Sequence, residues 1–398
     1  MRILFLSPRQ SLPARSGAKL REYHFLRALG RENEVTYVYF SDPGADALSV
    51  QDVPFCREVV AVPKPPAYGA AKNIAGLFGR WPLPVLNYTS PAMSDAVERA
   101  AAAADFDFIH VDSIHMIRYA MDAVRAHPGI RAVYNWHNIE SEAMRRFAAT
   151  TPSRARRWYA SMTAGKIERL EREILRTARG HIVCSERERM QLLECAPEAR
   201  VAVVENGVDT KYFAGGSGSA EKTGLVFVGT MDYFPNADAA IFFARRIWPQ
   251  VRARFPRAEF TIVGANPPPE VKTLGEAGGI HVTGMVPDVR PYYRGALAAV
   301  VPLRTGGGTR LKILEAMAAG VPVISTPLGA EGLDASDGRD ILLADAEDSE
   351  AWVSRLAQLA ESAALRERLR NAGLELVQGR YDWEVLGTKL AAIYRSWM

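Results

Sequence analysis

The stretch Arg304-Thr-Gly-Gly-Gly-Thr-Arg-Leu-Lys-Ile-Leu-Glu-Ala-Met-Ala-Ala-Gly-Val-Pro-Val-Ile324 decides how the chain is read. It follows the apolar run 298–302, which reads as a strand, and leads into a helix over 311–319. Glycines between a strand and a helix leave backbone N–H groups at the positive end of the helix dipole, and that is an anion site. Gly306, Gly307 and Gly308 have no Cβ and let a diphosphate approach the backbone, while Arg310 and Lys312 add positive charge. Glu315 follows in the helix, where a carboxylate accepts hydrogen bonds from sugar or ribose hydroxyls. Gly320-Val-Pro322 then ends the helix and turns the chain into the next strand. A glycine-rich loop alone is most often just a loop, but this loop with its strand, two cations, Glu and Gly-Val-Pro-Val-Ile is far more specific.

Outward from this segment, strands and helices alternate in two rounds. Strand-like runs fall at 3–6, 34–40, 106–111, 132–136, 182–184 and 201–204, with a helix-like stretch at 20–29 and another at 154–179. The pattern restarts at 225–228 and continues at 259–263, 280–283, 298–302 and 322–325. The expected fold is α/β, with two doubly wound Rossmann-like domains. Residues 1–205 form the first and 223–380 the second. Residues 206–222, with Asn206-Gly207 and Gly215-Gly-Ser-Gly-Ser219, read as a linker. The segment 381–398 reads as a final helix that belongs to the second half or crosses back onto the first.

Composition narrows the class. The chain has 398 residues, 48% hydrophobic and 24% charged, as in folded water-soluble proteins of two or three domains. A net charge of +4 from 49 basic and 45 acidic side chains gives no reason to expect nucleic-acid binding. Cys56, Cys184 and Cys195 are odd in number and widely spaced, which argues against a disulfide framework. The apolar run at 3–6 is too short for a signal-peptide core, so a cytoplasmic address is expected.

The segment Leu314 to Ile324 resembles the signature of the retaining glycosyltransferases with the GT-B fold, family 4 in particular. Ser16-Gly17, Asn135-Trp-His-Asn-Ile-Glu140, Glu205-Asn-Gly-Val-Asp209, Phe227-Val-Gly-Thr230 and Val282-Thr-Gly-Met-Val-Pro-Asp288 occur in the order that family shows them. The resemblance implies two domains facing a cleft, an acceptor-binding first domain, and a nucleotide-sugar donor, UDP- or GDP-linked, held mainly by the second. It places Glu315 at the ribose, Gly229 and Thr230 at the diphosphate and Val286 near the base. Gly17 is implied to approach the phosphates and His137 the donor sugar. Gly307, Gly308, Thr309 and Leu311 complete the expected donor site.

Two positions depart from the family pattern. Many members carry a glutamate eight positions before the second, where this chain has Gly307, so sugar contacts are expected from the backbone amides of Gly307 and Gly308. Many also carry an Arg and a Lys after the second-half Val-Gly, where this chain reads Thr230-Met-Asp-Tyr-Phe-Pro-Asn236, so Arg310 or Lys312 is expected to neutralise the pyrophosphate. The resemblance further implies retention of configuration by same-face attack, with the leaving phosphate helping to deprotonate the acceptor. Helix-end amides and cations stabilise that leaving group without a metal. Asp105-Phe-Asp107 opens a strand and reads as a turn, while His110 and His115 read as structural and Glu140 and Glu331 as local caps or ion-pair partners.

Within 141–190, twelve Arg and Lys face six Asp and Glu, with Trp158, Tyr159, Met162 and Ile167 interleaved. This window reads either as a helix resting on anionic lipid, as suits a lipid-linked acceptor at the inner membrane face, or as a solvated helix with pairs such as Glu168 with Arg172. A sugar or small-molecule acceptor fits the same fold. Competing functions are a nucleotide-sugar epimerase, a glycan phosphorylase, for which no pyridoxal-phosphate lysine is evident, and a non-catalytic nucleotide-sugar-binding partner. The loop 7–19 lacks the Gly-x-Gly-x-x-Gly of a dinucleotide oxidoreductase.

Overall fold

Strands β1 (Arg2–Ser7), β2 (Glu34–Ser41), β3 (Glu58–Pro63), β4 (Phe108–Asp112), β5 (Arg131–Asn135), β6 (Gly180–Val183) and β7 (Val201–Val203) form one sheet in the order β3-β2-β1-β4-β5-β6-β7. Every pairing in it is parallel. A second sheet contains β8 (Gly224–Val228), β9 (Glu259–Val263), β10 (Ile280–Gly284), β11 (Ala296–Val301), β12 (Val323–Ser325) and β13 (Leu342–Leu343), in the order β10-β9-β8-β11-β12-β13. The computed structural model describes residues 1–14, 16–214, 224–306 and 310–398. They divide into two units, Met1–Glu205 with Leu386–Met398, and Asn206–Val385.

Parallel strands covered on both faces need continuous apolar runs. Ile3, Leu4, Phe5 and Leu6 of β1 are fully buried, as are Val300 of β11 and Val323 and Ile324 of β12. In each sheet the strand order reverses once, between β1 and β4 and between β8 and β11. The loops leaving those strands diverge there and open a crevice at the strand C-termini. Helices start where side chains replace missing backbone partners: Ser16, Ser153 and Ser185 each accept an N–H three residues on.

Two strands lie outside the sequence reading. β3 is a half-exposed edge strand and β13 spans only two residues, so neither carries a strong buried-strand pattern. Residues 206–214 of the expected linker are built into the second unit, where Val208 pairs with Asp382, and Val208 and Phe213 join the core. Asp209 caps the short helix Thr210–Phe213, and Asp382 accepts from the Thr210 N–H at 3.2 Å. Residues 215–222 of that linker lie outside the described residues. The last helix, Trp383–Ser396, belongs from Leu386 onward with the first unit. Its Tyr394 hydroxyl lies 2.5 Å from His110 Nδ1. Trp397 packs where a Cβ on Gly180 would come within 2.6 Å of the indole, so glycine at the start of β6 makes room for it.

Candidate functional site

In the second unit, the loops leaving β8 and β11, neighbours at the strand-order reversal, carry the residues to which the glycine-rich motif points. Gly229 and Thr230 follow β8. A Cβ on Gly229 would meet Asn236 Nδ2 at 2.7 Å, and without one Asn236 Nδ2 donates to the Thr230 carbonyl at 2.9 Å. Asn236 Oδ1 accepts from Lys312 Nζ at 2.7 Å, and the ammonium lies 5.4 Å from the Phe227 ring centroid. No carboxylate is within ion-pair distance of Lys312 among the described residues. Burial, reinforced by the Arg310 charge and opposed by Glu315, pushes Lys312 down to about 8.

Arg310 is buried and donates from Nη2 to the carbonyls of Gly306 at 3.1 Å and Leu328 at 3.3 Å. Burial holds it below its ordinary value, while Tyr233 and Glu331 oppose that shift. Gly306 has φ +108°, and a Cβ there would sit 3.0 Å from Pro235, so both backbone angle and space require glycine. Arg304 is already neutralised: it forks onto Asp238 at 2.7 and 3.2 Å and lies over the Phe242 ring. Glu315, in the helix Leu311–Ala318, accepts from Tyr293 Oη at 3.3 Å. Burial raises its pKa against Lys312 and Tyr293. Leu311 and Val286 are joined to this group through core packing alone. Gly307, Gly308 and Thr309 lie outside the described residues.

The first unit supplies a buried polar chain at the C-terminal end of its sheet. Arg21, fully buried, donates from Nε and Nη2 to Asn135 Oδ1 at 3.1 and 2.9 Å. Asn135 Nδ2 donates to Asp112 Oδ1 at 2.7 Å, and His137 Nε2 lies 2.9 Å from both Asp112 oxygens. Burial alone would raise the Asp112 carboxyl, but His137, His110 and Arg9 more than reverse it and hold it well below the usual range. Asp112 is therefore an ionised acceptor, and His137 presents a proton to it from Nε2. Ser113, next in the chain, holds φ +90°, an uncommon angle for a residue with a Cβ and a local store of strain.

Arg9 bridges Asp112, at 4.0 Å, and Glu22, at 3.6 Å. Tyr37 donates to Glu22 Oε1 at 2.6 Å. Burial and the neighbouring Asp112 charge raise Glu22 to about 8, against the pull of Arg9, Tyr37 and Ser7. Gly17 opens the helix Gly17–Gly30 after the loop leaving β1. His115 pairs with Ser113 Oγ at 2.6 Å, and burial pushes it down to about 3, which suits a structural role. Glu140 opens the helix Glu140–Thr150, half-buried. Asp107 accepts from the Arg2 N–H ahead of β4, at the opposite end of the sheet from His137. Sequence reading did not single out Asp112, Asn135, Glu22 and Arg9. For the first two the available signal is a polar residue that closes an otherwise apolar strand.

Solved structures share this architecture. Sucrose-phosphate synthase (tll1590) from Thermosynechococcus elongatus superposes with a TM-score of 0.72 at 19% identity, over 100% of this chain and 99% of that one. Anabaena Alr3699/HepE, solved in complex with UDP and glucose, gives 0.66 at 15% identity over the whole of both chains. The fold is that of the GT-B glycosyltransferases, with two Rossmann-like domains. The family model for Glycosyltransferase Family 4 matches residues 16–212, and that for Glycosyl transferases group 1 matches residues 222–362. The chain belongs to the family 4, group 1 glycosyltransferases. A phosphatidyl-myo-inositol mannosyltransferase from Mycolicibacterium smegmatis is 26% identical over 315 residues, 77% of this chain and 75% of that protein.

Glu22 makes stability pH-dependent. Its folded pKa of about 8 exceeds the ordinary 4.5, so the folded state holds a proton that the unfolded state has lost. The protonated form is the stable one, and stability is lost as pH rises between these values, with a slope approaching about 1.4 kcal/mol per pH unit for one proton. His115 and His181, held low by burial, contribute the opposite slope below their ordinary 6.5, so the decline is read as a difference: the unfolding free energy of the wild type minus that of Glu22→Gln, measured in urea, is expected to fall from pH 5 to 8.5.

Proposed function

We propose that the chain moves a sugar from a UDP- or GDP-linked donor to a hydroxyl of a lipid-linked acceptor, with retention of configuration and without a metal. The observation that carries this reading is the pair of cations, Arg310 buried and Lys312 half-buried, at the start of the helix Leu311–Ala318, with Lys312 tied through Asn236 to the Gly229 loop. Lys312 is held by a neutral amide, with no carboxylate partner among the described residues, so its charge remains available to a pyrophosphate. Glu315 would take the ribose hydroxyls, Gly229, Thr230 and the 307–309 loop the diphosphate and sugar, and Val286 the base. As the sugar–phosphate bond breaks, negative charge grows on the leaving diphosphate, and cations already fixed at that point lower the barrier without reorganising. His137, oriented by Asp112, would face the donor sugar, with Gly17 near the phosphates. The mannosyl chemistry of the Mycolicibacterium relative makes GDP-mannose the first donor to test.

Donor binding measured by calorimetry against GDP- and UDP-sugars is expected to weaken by about tenfold or more in Lys312→Ala and in Arg310→Ala, the scale of one charge-assisted contact. Asp112→Asn is expected to leave donor affinity intact and slow sugar release by roughly 100-fold. Unchanged donor affinity in both cation variants would overturn the assignment.

The 141–190 window bears on where the acceptor is met. Five of its twelve basic side chains are paired within it: Arg172 with Glu168 at 2.5 Å, Arg145 also with Glu168, Arg146 and Arg187 with Glu142, and Arg189 with Glu186. A stronger lipid-facing feature is the helix Ala70–Phe78. Its Ala71, Ile74, Ala75 and Phe78 recur at helical spacing on the exposed face, with Ile74 60% and Phe78 86% exposed. Lys166 fixes its end by donating to the carbonyls of Gly76, Leu77 and Gly79 at 2.6–2.8 Å. Arg169 lies near enough to depress the Lys166 pKa further beyond its burial, so positive charge sits at the base of the apolar stripe. Among the described residues no helix is long and apolar enough to cross a membrane. The stripe would instead lie in the interface of an anionic bilayer. Two large side chains leaving water contribute about 1.5–3 kcal/mol each. Ile74→Ser with Phe78→Ser is therefore expected to reduce co-sedimentation with phosphatidylinositol vesicles by at least about tenfold.

A further inference from the structure

Three neighbouring strands of the first unit are preceded or opened by an arginine. Arg131 is the first residue of β5, Arg179 immediately precedes β6 and Arg200 immediately precedes β7. Backbone bonds fix each one: Arg131 N to Asp107 O, Arg179 N to Ala132 O, and His181 N to Arg200 O. Adjacent strands are roughly 4.8 Å apart, so the sheet gathers these three residues at the end where β5, β6 and β7 begin, staggered by the register of Val133 with Gly180 and His181 with Val201. Arg176 joins them from the last turn of the helix Arg154–Thr177.

All four arginines line one cavity of about 750 Å³, and Glu198 is the one carboxylate in its lining among the described residues. None of the four forms an ion pair among the described residues, and the hydrogen bond from Arg179 Nε to Trp397 O at 2.9 Å leaves both of its terminal nitrogens without a partner. Partial burial and then the charges of Arg200 and Arg131 hold the Arg179 guanidinium below its ordinary value, so the cations crowd one another. The other end of the same sheet edge is built differently. There Arg2 and Arg57 share Glu34, and the Arg2 N–H bonds Asp107. The carbonyl ends of the helices Arg154–Thr177 and Glu186–Cys195 come to this face, but a helix end supplies only about half a charge.

We propose that this cavity binds a multiply charged phosphate group, at a site separate from the transfer reaction. It lies where β5, β6 and β7 begin, whereas Asp112 and His137 lie where β4 and β5 end. Its volume is that of a small-ligand pocket. Guanidinium forks match phosphate oxygens in pairs, and several converging forks select a group with more than one negative charge. A free phosphorylated metabolite and a phosphorylated lipid headgroup present the same chemistry.

The test uses the full chain with Lys312→Ala as background, so that pyrophosphate binding at the proposed donor site is suppressed. Inorganic pyrophosphate is titrated by calorimetry, and vesicles containing phosphatidic acid are used in a parallel co-sedimentation series. Each is repeated with Arg131→Gln/Arg200→Gln and with Arg176→Gln/Arg200→Gln, the second pair sparing the first residue of β5. A soluble site shows pyrophosphate binding that weakens at least tenfold in both pairs. A headgroup site shows vesicle binding that weakens likewise while pyrophosphate does not bind. Either result supports the proposal. Absence of binding in both series, or binding that both arginine pairs leave unchanged, overturns it.

Discussion

A fully buried carboxylate that stays ionised must be surrounded by donors, and Asp112 sets that requirement for the first unit. Its charge is met by the Asn135 amide, the His137 imidazole and the more distant Arg9. Asn135 can serve only because Arg21 fixes its oxygen, and Arg21 is in turn anchored by the carbonyls of Val204 and Glu205. Removing one link would leave a buried charge or dipole unmet, which costs more than the lost bond was worth. The result is an imidazole held in one orientation at the end of β5, with its proton placement dictated from below.

The second unit reaches a comparable outcome by different means. Its polar group is cationic, and what holds it is a set of neutral contacts: the Asn236 amide at Lys312 and backbone carbonyls at Arg310. Arg304, beside them, is quenched by Asp238 and so contributes structure rather than available charge. Each unit is thus organised around one kind of polar group, an ionised carboxylate in the first and a pair of cations in the second.

What sequence made legible follows the range of the interactions involved. The 304–324 segment was readable because strand, loop, cation and helix start are neighbours along the chain. Val208 and Phe213 were hidden within a Gly- and Asn-marked segment that looked like a linker, although both pack into a core. Asp112 and Asn135 lie 23 residues apart, and Arg21 is 114 residues from Asn135, so no local pattern joins them. Glu22 reads in sequence as an ordinary charged helix residue, and only burial against Tyr37 and Asp112 makes it a proton-holding group. β3 and β13 escaped because an edge strand and a two-residue strand bury too little to leave a periodic signature.

The placement of residues 386–398 with the first unit bears on synthesis at the ribosome. The N-terminal sheet is complete in sequence by residue 203, yet Tyr394, which closes over His110, and Trp397, which fills the space beside Gly180, emerge only after the entire second unit. At roughly 5–20 residues per second, the first unit waits on the order of ten seconds or more with one flank uncovered. The second unit, continuous from 206 to 385, has no such delay. Order of appearance and order of completion are therefore inverted: the half made first is the half finished last.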